Sequence, residues 1–245
     1  MTHAVARLRA TCLRDDERRP RLDRVPPRVA RCDGCRLPAS HCLCGLRVAV
    51  PTHAGVCLVM APYEALKPSN TGWLVADVVP DTFAFAWSRT AVDPALLALL
   101  GDPRWQPWVV FPRELAAPGR PTAATLDLPP GVPARAGARP LLVLLDGTWA
   151  EAHRMFRRSP WLDRFPVLGL APATPSRYAL RSAPQADHLC TAEVAALCLE
   201  LAGDAPAARR LAAWLDVFND RYLRSRQSLP PDPDGAAHRR LRALA

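Results

Sequence analysis

Short apolar runs alternate with longer amphipathic stretches along most of the chain, a pattern that predicts strands and helices in turn. Val56–Met60 is β-branched and apolar and follows the turn-like Pro51-Thr52-His53-Ala54-Gly55, so it reads as a buried strand. Thr82–Trp87 and Trp108–Phe111 read the same way, with a helix over Pro94–Leu100 between them. Leu141–Leu145 is the clearest buried strand and ends in Asp146-Gly147. Thr148-Trp149-Ala150-Glu151 then has capping-box spacing, and Trp149, Ala152, His153 and Phe156 continue at helical intervals. Val194, Leu197, Cys198 and Leu201 form a second stripe that stops at Gly203, and Leu211, Trp214, Leu215, Phe218 and Tyr222 form a third. The alternation predicts an α/β domain with a mainly parallel sheet over residues 53–224.

The other segments lack such periodicity. Residues 112–140 are rich in Pro, Gly and Ala and read as a long surface loop with at most a weak strand at 124–128. Residues 1–28 read as a basic arm, irregular until bound, and 225–245 as a C-terminal tail. A chain of 245 residues, 49% of them apolar, has room for one medium domain with a small appendage. No apolar run approaches the roughly 18 residues of a membrane span. Nine Arg among the first thirty-one residues, without a secretory apolar block, argue against a cleaved leader, so the expected compartment is the reducing cytoplasm. Eight Cys there point to metal or buried thiols.

A net charge of +9 favours a polyanionic partner such as nucleic acid. Every basic residue except Lys67 is Arg, which also fits a compositional bias. Cys32, Cys35, Cys42 and Cys44 pack four thiolates into thirteen residues around the turn formers Gly34 and Pro38, a spacing that suits structural zinc in a knuckle over 29–50. Four sulfurs close the coordination sphere, so such a metal folds the knuckle instead of activating water. His41 is a bystander, Cys57, Cys190 and Cys198 read as small buried thiols, and Cys12 falls in the arm.

Asp146 follows a buried strand, where α/β sheets place ligand-binding groups, and reads either as a proton acceptor or as a helix-end residue. Thr148 reads as a cap, and Trp149 as core or as a stacking surface for a base. Ser69, Asn70, Thr71 and Gly72 form a small polar loop without the glycine spacing of a P-loop or a dinucleotide fingerprint. Arg154, Arg157 and Arg158 read as phosphate contacts or as a solvated helix face.

Asp146-Gly147-Thr148-Trp149, preceded by the cysteine knuckle and Lys67-Pro68-Ser69-Asn70-Thr71-Gly72 and followed by Leu189-Cys190-Thr191-Ala192-Glu193, resembles the DTW-domain family, the tRNA-uridine aminocarboxypropyltransferases. The resemblance spans about residues 30–224. It implies transfer of the 3-amino-3-carboxypropyl group from S-adenosylmethionine to a uridine ring nitrogen in tRNA. It also implies a knotted, SPOUT-like fold. S-adenosylmethionine is then expected between Ser69–Gly72 and Leu189, Cys190, Thr191 and Glu193, with Asp146, Thr148 and Trp149 at the reaction. The surroundings of Trp73-Leu74 and Thr82–Thr90 look closest to bacterial members, which act on the variable loop. Many members carry His before the proline at position 62, where this chain has Ala61. A SPOUT-type RNA methyltransferase and a non-catalytic zinc-containing RNA-binding module are the rival readings.

Overall fold

The computed structural model describes residues 2–14, 30–171, 176, 178, 180 and 189–244. Six strands form one sheet in the order β2-β1-β5-β3-β6-β4, and every pairing is parallel. The strands are β1 (Gly55–Met60), β2 (Thr82–Ala86), β3 (Trp105–Val110), β4 (Thr122–Ala123), β5 (Arg139–Asp146) and β6 (Val167–Leu168). The helices are α1 (Ala4–Arg14), α2 (Gly72–Val78), α3 (Pro94–Gly101), α4 (Trp149–Arg157), α5 (Thr191–Leu201), α6 (Ala205–Arg226) and α7 (Ala236–Arg242). None is long and apolar enough to cross a membrane, among the described residues.

Alternate residues of the central strands feed two separate cores, because successive side chains of a strand point to opposite faces. Val56, Leu58, Met60, Leu142 and Leu144 pack with residues of α2, α5 and α6, while Cys57, Val59, Leu141 and Val143 pack with residues of α3 and α4. Both faces are therefore covered, which is why these strands read as continuous apolar runs. In register, Met60 lies beside Asp146 at the C-terminal edge. The parity of β5 puts Asp146 on the side of Leu142 and Leu144, facing α2 and α5.

Several expectations need correction. Residues 4–14 of the supposed irregular arm form α1, whose Val5 is fully buried and whose Ala6 and Leu8 pack against the same core. Arginines hid this short apolar edge from the sequence pattern. The part of the arm at 15–29 lies outside the described residues. The tail is likewise built: α6 continues to Arg226, and α7 buries His238 and Leu241, with Arg221 donating to His238 at 3.1 Å. The strand expected at 124–128 occurs at Thr122–Ala123, paired with β6. Helix α5 is present, but its buried face holds Ala192, Ala195, Cys198 and Leu199, while Leu197 and Leu201 are exposed. Small alanines let it sit close to its neighbours, so the larger leucines of the expected stripe mark the wrong face.

Candidate active site and cysteine knuckle

The loop after β1 turns back over the sheet edge and starts α2. Asn70, which is fully buried, organises it: its Oδ1 accepts from the Trp73 backbone N–H at 3.0 Å, satisfying one of the open amides at the helix start. Its Nδ2 donates to Asp146 Oδ2 at 2.8 Å and to Glu64 Oε1 at 3.2 Å. Lys67 donates to the other oxygen of Glu64, so the fully buried carboxylate of Glu64 is matched by the solitary lysine.

Asp146 receives a second grip from the other side of the chain, because Thr191 Oγ1 donates to its Oδ1 at 2.6 Å. Both carboxylate oxygens are thus engaged, and the residue is only 2% exposed. Thr71 Oγ1 accepts from the Ala192 N–H at 3.3 Å, which ties the start of α5 to the start of α2. Glu193 closes the α5 end by accepting from the Cys190 N–H at 2.8 Å and from Ser176 Oγ at 2.6 Å. Burial pushes the Cys190 thiol well above its ordinary range, so it is held neutral.

Asn70, Thr71, Gly72, Thr191 and Glu193, expected from the sequence, therefore gather around Asp146 or the α5 start, and Ser69 joins through its carbonyl, which accepts from Tyr178 Oη. Thr148 and Trp149 do not join them. Thr148 caps α4 reciprocally with Glu151, its Oγ1 accepting from the Glu151 N–H at 3.3 Å and the carboxylate accepting from the Thr148 N–H at 2.8 Å. Trp149 is half-buried with its ring 6.4 Å from Phe111. Arg154, Arg157 and Arg158 are exposed on or beside α4. Leu189 lies just before the α5 cap.

Sequence reasoning passed over Arg36, which lies inside the knuckle in a left-handed conformation, φ 66°. It is 2% exposed and donates from one guanidinium nitrogen to the carbonyls of Lys67 and Asn70, each at 3.1 Å. Its Cζ sits 4.3 Å from the Trp73 ring centre, within cation–π range. Burial pulls it down to about 9, partly opposed by Asp77. Trp73 Nε1 in turn donates to Gly34 O at 3.1 Å. The knuckle and the Asp146 loop are thus one packed unit. No periodicity in the sequence marks an arginine between Cys35 and Leu37 as buried.

The four cysteine sulfurs lie within 4.8 Å of one another and could hold a metal ion. A tetrahedral ion with bonds of about 2.3 Å sets its sulfurs about 3.8 Å apart. Separations of 3.5, 3.6 and 3.8 Å occur between Cys42 and Cys32, Cys32 and Cys44, and Cys35 and Cys42. His41 uses both ring nitrogens elsewhere, toward Ser40 Oγ and Leu229 O, each at 3.0 Å.

The family model described as "DTW domain" matches residues 29–223, which contain the knuckle, the 64–72 loop, Asp146 and Thr191. The chain is 38% identical over 69 residues to tRNA-uridine aminocarboxypropyltransferase 2 of Drosophila melanogaster, a stretch covering 28% of each protein. No solved structure matches. A match across most of the chain, carrying Asn70, Asp146 and Thr191, makes this protein a member of the DTW-domain family.

Proposed function

We propose that the protein transfers the 3-amino-3-carboxypropyl group of S-adenosylmethionine to a ring nitrogen of a uridine in tRNA, with the variable loop as target. The observation that carries this reading is Asp146, a buried carboxylate at the end of the central strand, held by Asn70 and Thr191 within the family's matched segment. The named activity of the Drosophila relative supplies the reaction class.

S-adenosylmethionine supplies a sulfonium whose carbon–sulfur bond breaks as the carbon–nitrogen bond forms, leaving a neutral thioether. The uridine imide is a poor nucleophile until its N–H proton is removed. In this reading the Asp146 carboxylate accepts that proton and orients the ring, a contribution of about 10²–10⁴-fold for a positioned base. Asn70 and Thr191 keep the carboxylate at a fixed angle. The loops 69–72 and 189–193, which already meet through Thr71 and Ala192, form the wall for the donor, and their hydroxyls, amides and backbone groups suit its carboxylate, ammonium and ribose. Thr148 supports the turn after β5, and Trp149 contributes a ring beside it. Which donor carbon lies in line, at about 3–3.5 Å from the nitrogen, decides between this transfer and methylation.

The knuckle holds zinc, which stiffens the Arg36 contacts without touching substrate. Exposed Arg154, Arg157 and Arg158 bind tRNA phosphates, and the enzyme works in the cytoplasm with the tRNA pool. The knotted SPOUT arrangement belongs to the same reading, and the all-parallel sheet is compatible with it. Nucleoside mass spectrometry of unmodified tRNA incubated with protein and S-adenosylmethionine tests it. An aminocarboxypropyl-uridine is expected. A methylated uridine would make the protein a methyltransferase, and binding without product would leave an RNA-binding module.

A further inference from the structure

A cleft of about 380 Å³ opens past the C-terminal ends of β1 and β2, beside the first turns of α4. Its wall includes Met155 of the α3/α4 layer, whereas Asp146 is turned to the α2/α5 layer. The two flank the same sheet edge, joined where the Ala61 N–H donates to the Asp146 carbonyl at 2.7 Å.

Two aromatic residues line it under unusual constraint. Trp87 is fixed at both ends: its backbone N–H donates to Met60 O at 2.7 Å, and its indole N–H donates to the fully buried Ser159 Oγ at 2.9 Å. Tyr63 has φ 61°, a left-handed conformation that an aromatic residue rarely takes. The cleft also carries charge. Lys67 reaches it from its bond to Glu64, 4.0 Å from Glu151 Oε2. Arg154 lines it as well, and its exposed guanidinium has no hydrogen-bond or ion-pair partner among the described residues. Arg157, three positions later in the last turn of α4, and Arg158 at its C-cap are both exposed.

We infer that this cleft seats a nucleotide of the acceptor RNA, its base against Trp87 and Tyr63 and its phosphate on Arg154. Neighbouring phosphates lie on Arg157 and Arg158. A rigid indole offers a stacking face at little entropic cost, and an arginine fork suits phosphate. The donor molecule fits less well: its sulfonium and ammonium would meet Lys67 and Arg154, while Glu151, the carboxylate on the wall, is already held by the Thr148 N–H and hydroxyl. The inference rests on the tRNA reading for the identity of the polymer and adds where one nucleotide sits.

Binding of unmodified tRNA, uridine 5′-monophosphate and S-adenosylmethionine to the full chain, measured separately, tests it. Arg154→Gln should weaken tRNA several-fold and lower the slope of log affinity against log salt by about one. Trp87→Leu should weaken both tRNA and the mononucleotide by about fivefold or more, Trp87→Phe should retain most binding, and donor affinity should stay unchanged throughout. Should Trp87→Leu misfold, Arg154→Gln, exposed and unpartnered, still decides. Reduced donor affinity with unchanged tRNA binding would assign the cleft to the donor and overturn the inference, as would unchanged binding of all three. The predicted binding losses without any aminocarboxypropyl product would uphold the cleft while rejecting the transfer reaction.

Discussion

Gly72 lies so close to Asp146 that a Cβ there would fall inside the van der Waals limit of the carboxylate Oδ2 and within 3.3 Å of Leu58 Cδ1. The glycine makes room for the aspartate. Its place at the start of α2 lets the helix press onto the sheet edge while Asn70, two residues earlier, holds the same oxygen.

Gly72→Ala is therefore expected to displace Asp146 and to cost about 1–3 kcal/mol, the range of overpacking in a filled interior. Thermal unfolding and single-turnover rates measured together check this. Turnover should fall well beyond the loss of folded protein at the assay temperature.

Arg36→Met removes the donor to two carbonyls of the Asp146 loop. Leaving such groups unsatisfied costs about 1–3 kcal/mol, and amide exchange at residues 70–73 should accelerate while the bound-metal content of the knuckle is retained. Arg36→Lys should restore little, because the contact uses the forked donors of a guanidinium placed over Trp73.

Thr148→Ala breaks a reciprocal cap on α4 without touching Asp146. A loss of about 0.5–2 kcal/mol of stability is expected, with part of the activity kept. Calorimetry of the variant beside turnover at a temperature well below its melting point separates the two effects.

Purified under reducing conditions, the protein should carry one zinc per chain, and Cys35→Ser should release it. Because Arg36 joins the knuckle to residues 67–70, the loss should also loosen the Asp146 loop, which amide exchange after chelation would register. Absence of stoichiometric metal would count against the assignment.

The parallel sheet was legible because strands buried on both faces leave apolar runs, and the α4 cap because Thr148 and Glu151 keep a fixed spacing. Asp146 stood out by its place after the clearest such run. Its grip by Asn70 and Thr191 was not legible from spacing, since these contacts join positions 76 and 45 residues away. The motif resemblance brought those segments together instead. Helix α1 and the role of Arg36 stayed hidden for one reason: in a chain this rich in arginine, a buried arginine or a short apolar edge beside arginines looks like surface.

That Asp146 serves transfer to uridine is tested by the single-turnover rate of aminocarboxypropyl-uridine formation with saturating tRNA and S-adenosylmethionine, parent against Asp146→Asn. The asparagine loses basicity and turns an amide toward Asn70 Nδ2 or Thr191 Oγ1, where a donor already stands. The rate should fall by about 10²-fold or more, with a lower melting temperature and measurable donor binding. An Asp146→Asn protein that forms the product as fast as the parent would contradict the account.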